Sequence, residues 1–172
     1  MNPFAPTRHS QVRRWFATCL FTLVLLLPAL AMAQVPGISA ADRADIQNFT
    51  LNEDVVGRLK GVMTEGRAMH IKKSHLDMAK VHSLDDMADQ IVSADPRIKP
   101  LLAKHGFTPR QFLVANLALV GTVMTVRYAE KSGKEKALES QLNPANVSFY
   151  KKHKAAMDAL VNPPAPAASS MK

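Results

Sequence analysis

Thr108-Pro109-Arg110-Gln111-Phe112-Leu113-Val114-Ala115-Asn116-Leu117-Ala118-Leu119-Val120-Gly121-Thr122-Val123-Met124-Thr125-Val126 is the stretch that decides the fold. Its opening is a helix start: a threonine whose hydroxyl can take a free backbone N–H, a proline at the first helical position, and a glutamine three residues after the threonine that can reach back. From Phe112 to Val126 there are 15 residues without a charge. Apolar side chains at that density point in every direction from a helix, which predicts a helix surrounded by others. The run is short for a membrane span, and Asn116, Gly121, Thr122 and Thr125 dilute it. Gly133 is the expected stop.

Helical punctuation continues on both sides. Upstream, Gly106 suits the left-handed residue that ends a helix, with Phe107 folding back on the last turn. Asp95-Pro96 reads as a cap and first-position proline for a short helix carrying Ile98, Leu101 and Leu102. Ser83, with Asp85 and Asp86 behind it, starts a helix whose core face is Leu84, Met87, Ile91 and Val92. Thr50 or Asn52 caps a helix with the stripe Val55, Val56, Leu59, Val62 and Met63. Gly57 and Gly61, one turn apart beside that stripe, predict close approach of another helix. Ser39 caps a first helix, with Asp42 in its first turn. Downstream, Asn143 or Asn146 caps a last helix with Val147, Tyr150 and Met157 inward. No run alternates like a strand. The expectation is an all-α, single-domain bundle of five to seven helices around a central apolar helix, spanning residues 34–162. A Pro/Ala/Ser-rich tail, 163–172, is disordered by composition.

The segments Phe107-Thr108-Pro109-Arg110-Gln111-Phe112 and Asn143-Pro144-Ala145-Asn146-Val147-Ser148-Phe149 resemble motifs of a loose group of small exported bacterial helical proteins of unassigned function. The resemblance covers mainly the C-terminal half and implies a helical fold. It supplies no catalytic residue, because its motifs are helix starts.

Residues 1–33 have the layout of a signal peptide. Arg8, Arg13 and Arg14 are unaccompanied by any acid, an apolar run follows from Cys19 to Leu27, and Ala31-Met32-Ala33 places small residues before Gln34. Cleavage between Ala33 and Gln34 is expected, with a periplasmic or secreted product that has no transmembrane segment. The rival is an uncleaved anchor, since Trp15 to Ala33 is 19 residues without charge; Pro28 and the A-x-A site weigh against it. Arg13-Arg14-Trp15-Phe16 resembles part of a twin-arginine signal, but the flanking residues of that pattern are missing.

After residue 33 the chain carries nineteen basic against 14 acidic side chains, a formal +5, and no cysteine. That excludes disulfides, thiolate catalysis, covalent haem attachment and cysteine-ligated zinc in the remainder. A +5 balance favours anionic envelope components.

Three groups of residues are candidates for chemistry. His75, Met78 and His82 are spaced i, i+3, i+7, would share a helical face, and suit copper in an oxidising compartment. Against this, Arg67, Lys72, Lys73 and Lys80 surround them with only Asp77 in opposition. The same stretch, net +3, is the second candidate. With Lys151, Lys152 and Lys154 it would make a surface for phosphates or anionic lipid if the fold joined the two clusters. Nucleic acid is not an expected partner, as no binding motif is present. The third is the set of polar residues within apolar patterns, Asn116, Thr122, Thr125 and Arg127, as helix-to-helix bonds or the lining of a pocket. No nucleophile elbow, His-Glu-x-x-His or phosphate loop appears, so enzyme chemistry has no sequence support. The functional expectation is a non-enzymatic periplasmic or secreted protein that meets an envelope partner, an anionic lipid or a protein. The alternative is a periplasmic small-ligand or metal binder.

Overall fold

The computed structural model describes residues 38–71 and 75–163. The expected signal segment with Ala31, Ala33 and Gln34, the pair Lys72 and Lys73, and the residues beyond Pro163 lie outside the described residues. Within them the chain forms seven helices and no strand: α1 (Ala40–Asn48), α2 (Glu53–Ala68), α3 (Leu84–Ala94), α4 (Ile98–Lys104), α5 (Pro109–Ser132), α6 (Glu135–Glu139) and α7 (Pro144–Val161). This is the all-α bundle around a central apolar helix.

The helix ends follow local chemistry. Ser39, Asn52, Ser83 and Asn143 each take a first-turn N–H on the side chain. At α5 the capping box is complete: Thr108 Oγ1 accepts from the Gln111 N–H, and Gln111 Oε1 accepts from the Thr108 N–H. Gly106 (φ 72°) and Gly133 (φ 66°) hold the left-handed turns that end α4 and α5. After α4 the Phe107 N–H reaches back to the Leu102 carbonyl at 2.9 Å, and the Phe107 ring is buried. Asp95 differs from expectation. It closes α3, and its carboxylate accepts from the Arg97 N–H, so α4 begins at Ile98.

α5 touches all six other helices. Ala115, Leu119, Val123 and Val126 are fully enclosed, and with Leu59, Leu102, Tyr150 and Met157 they form the main core. A smaller cluster of Val81, Met87, Ala88 and Leu113 lies under α3. α5 is long and apolar enough to cross a membrane by length and composition, but packing explains its apolar inner face. Burial does not extend around the helix as expected: Met124 and Tyr128 are 52% and 60% exposed. Leu117 and Val120 are only half-buried.

Two polar hubs fasten the N-terminal segment onto this core. Asp42, 3% exposed, accepts from Ser39 Oγ (2.8 Å), the Leu84 N–H (3.2 Å) and Arg110 Nη2 (2.7 Å). Arg110 also donates to Asp45 and Asp85, each at 2.8 Å. One guanidinium thus joins the first turns of α1, α3 and α5. At the second hub buried Asn146 accepts from the Leu51 N–H and donates to the Phe49 carbonyl, both at 2.8 Å, tying the α1–α2 connection to α7.

Gly57 and Gly61 of α2 have different surroundings. A Cβ on Gly61 would stand 2.5 Å from the His105 ring, so a side chain rather than a helix backbone claims that space. At Gly57 nothing lies within 4 Å, which corrects the expectation of close helix approach there.

Candidate functional site

The stretch that carries the histidines is not a helix. α2 stops at Ala68, His70 takes a left-handed φ of 53°, and the Ile71 N–H turns back to the Gly66 carbonyl at 3.0 Å. This is the closure usually given to glycine, here on a histidine. It folds Ile71 toward Gly66 and Leu101, so burial of an apolar side chain is gained by leaving the helix. Asp77 then caps a 3-10 turn, Met78–Lys80, and Gln90 of α3 bonds both the Asp77 N–H and carbonyl. His75 precedes the turn, Met78 opens it and His82 follows it, so the three do not share a helical face. Among the described residues no three His, Cys, Asp or Glu side chains are grouped to hold a metal ion.

The basic side chains are dispersed and largely paired. Lys80 bridges Asp77 at 3.1 Å, Lys151 bridges Glu139 at 2.8 Å, and Lys154 bridges Glu130. Arg67 and Lys152 have no ion-pair partner among the described residues. Arg67 shares a groove with His153, the neighbour of Lys152 and Lys154, while Lys80 sits in the 3-10 turn before α3. The expected joint surface therefore reduces, among the described residues, to Arg67 beside α7.

The shifted carboxylates serve structure. Burial pushes the Asp42 carboxyl up, but the bonds from Arg110, Ser39 and the Leu84 N–H outweigh it and hold the group below its usual range. Glu65 is lowered by Lys104 and then by His105, a pairing of α2 with α4. Bonds from the Arg97 side chain bring Asp95 down to about 2. Tyr150 is fully buried, and burial, with its bond to Asp158, raises it to about 12. None of these groups lines a groove with a second shifted group. Among the polar residues of the apolar helix, Thr122 is buried, Asn116 and Thr125 are half-buried and Arg127 is exposed. The buried asparagine that bridges elements is Asn146 instead.

Two grooves flank Arg67. The larger, about 550 Å³, is lined by nine apolar side chains from α2, α3, α4, α5 and the loop after α2, with Arg67 the single charge among the described residues. Val62, Ile98, Leu101 and Leu102 form its buried wall; Met63, Ile91 and Phe112 are half-exposed at its opening. The smaller, about 360 Å³, runs between α2 and α7 past Gly57, Lys60, Thr64, Phe149 and His153. Sequence reading missed both, because the lining residues of each come from segments distant in the chain. The one local signal was Gly57, a helix-interior glycine that no contact explains.

Comparison of the chain with protein-family models, curated proteins and solved structures finds no match, so the resemblance to small exported helical proteins rests on its helix-start residues alone.

Proposed function

We propose that this chain is an exported, non-enzymatic binding protein that holds the acyl chain of an anionic amphiphile, such as a fatty acid or an envelope lipid. The single observation that carries this reading is the 550 Å³ groove, whose described lining is nine apolar side chains and one cation, Arg67. Its size falls in the range of small-molecule sites, roughly 300–1,000 Å³. Its lining suits a ligand that is mostly hydrocarbon. Burial of a methylene contributes about 0.8 kcal/mol, so eight of them contribute about 6 kcal/mol before the cost of association. An exposed arginine adds at most about 1 kcal/mol. Hydrocarbon therefore supplies the affinity and Arg67 the orientation.

Export is part of the proposal and rests on the ordered basic, apolar and A-x-A segments of residues 1–33. Mass spectrometry of the protein from its native host is expected to find an N-terminus at Gln34. A full-length chain held in the membrane would overturn it.

The groove is tested by titrating the purified protein with the fluorescent fatty acid cis-parinarate. Ile91→Trp fills the opening from a half-exposed position and is expected to weaken binding about tenfold or more, equivalent to about 1.4 kcal/mol. Arg67→Gln is expected to weaken it only a few-fold, and less at high salt, where exposed charges are screened. Absence of binding to the parent, or equal binding by Ile91→Trp, rejects the reading.

A further inference from the structure

The groove between α2 and α7 has features whose cost no contact within the described residues offsets. Gly57 sits inside α2, where glycine weakens a helix, yet a Cβ there would meet nothing within 4 Å. α7 departs from helical geometry at His153 (φ −117°, ψ 24°), and the His153 ring stacks on Phe149 with centroids 4.3 Å apart and planes 28° apart. Both rings are half-buried and line the groove. Lys60 and Arg67 line it as well, and neither has an ion-pair partner among the described residues. Glu53, the one acid among the described residues of the groove, stands 3.7 Å from His153. Lys60 follows Glu53 by two helical turns, roughly 10 Å along the axis. Negative charge is thus confined to one end, with positive charge at the middle and the other end.

We propose that this groove is a second binding site, for a small planar aromatic anion, with Gly57 as its open floor, the Phe149–His153 stack as its aromatic wall and Lys60 as its counter-charge. The absent side chain at Gly57 leaves room for a ring between the two helices. The stacked pair offers the aromatic surface on which rings settle in offset or edge contact. Lys60, one turn from Gly57, is placed to meet an acidic substituent of that ring, and Thr64 can donate a hydroxyl to it. The site shares only Arg67 with the larger groove and does not depend on the acyl-chain reading.

The probe is 8-anilinonaphthalene-1-sulfonate, an aromatic anion with a planar naphthalene ring, titrated into the purified protein by fluorescence at low salt. Gly57→Leu fills the floor from a position where an added Cβ meets nothing within 4 Å. It is expected to leave the melting temperature unchanged or raised while weakening one class of probe site about tenfold or more. Lys60→Glu, on an exposed side chain, is expected to weaken the same class and to reduce the loss of its binding as salt rises. Ile91→Trp removes the apolar-groove contribution to the probe signal and leaves this class intact, so failure at one groove is distinguishable from failure at the other. Probe binding that is absent from the parent, or unchanged in both Gly57→Leu and Lys60→Glu, overturns the proposal.

Discussion

The Asp42 and Asn146 hubs do the same mechanical work with opposite chemistry. Each joins the N-terminal segment to a helix start roughly 70 to 100 residues away: Arg110 for Asp42, and Asn146 itself for Phe49 and Leu51. The first is ionic, gathers three aspartates on one guanidinium, and is partly open, with the Arg110 side chain 32% exposed. The second is neutral, and its acceptor and donor roles are matched to one carbonyl and one N–H. An ionic hub can hold three helix starts at once, because a guanidinium has five donors. It leaves a buried charge behind when a partner is lost. A neutral hub joins fewer groups and leaves only an unpaired dipole.

The largest expected effect comes from breaking the ionic hub. Arg110→Met strands the nearly buried Asp42 carboxylate and is expected to cost about 3 kcal/mol at neutral pH, the low end for a broken buried pair because Arg110 is partly solvated. Thermal unfolding followed by far-UV circular dichroism measures it. A loss below that of the neutral hub would reverse the ranking.

Asn146→Ala comes next, at about 2 kcal/mol. It orphans the buried Leu51 N–H, while the Phe49 carbonyl keeps a bond from Asn143 Nδ2 at 3.3 Å. The two losses separate further with pH. Asp42 has a folded pKa below its ordinary 3.8, so its stabilisation is complete above that value and fades as pH falls through the folded value. Arg110→Met removes the leading bond that lowers Asp42, so its deficit relative to the parent is expected to shrink below pH 3.8. The deficit of Asn146→Ala contains no titrating group and is expected to stay constant over the same range. Parallel pH profiles for both variants would show that the ionic hub does not act through Asp42.

The smallest effects sharpen the comparison by what they share. Ser39→Ala and Asn143→Ala each remove an N-cap that lies beside one hub, and each is expected to cost about 1 kcal/mol. Near-equality of the two would assign the difference between the hubs to Arg110 and Asn146 themselves. A Ser39→Ala loss twice that of Asn143→Ala would place part of the ionic hub in the Ser39 hydroxyl, which donates to Asp42 at 2.8 Å.

The sequence by itself determined the starts of α1, α3 and α5 and the ends of α4 and α5. Ser39, Ser83, Thr108 with Gln111, Gly106 and Gly133 all act on backbone groups within about five residues, so their effect is written locally. The apolar run after Phe112 likewise identified α5 as the centre, though not which of its faces is closed. Leu119 and Val123 are enclosed while Leu117 and Val120 are half-buried, a matter of which helices lie against them. Tertiary structure alone decided the rest. Asp42 looks like an ordinary first-turn acid until Arg110 arrives, and Asn146 like a spare cap until the α1–α2 connection crosses it. His75, Met78 and His82 keep helical spacing, but the gain from tucking Ile71 against Gly66 and Leu101 ends the helix before them. The two grooves exist only between segments far apart in the chain. Capping is a short-range interaction and is legible in sequence, whereas burial, ion pairing and concavity depend on which distant side chains the packed bundle brings together.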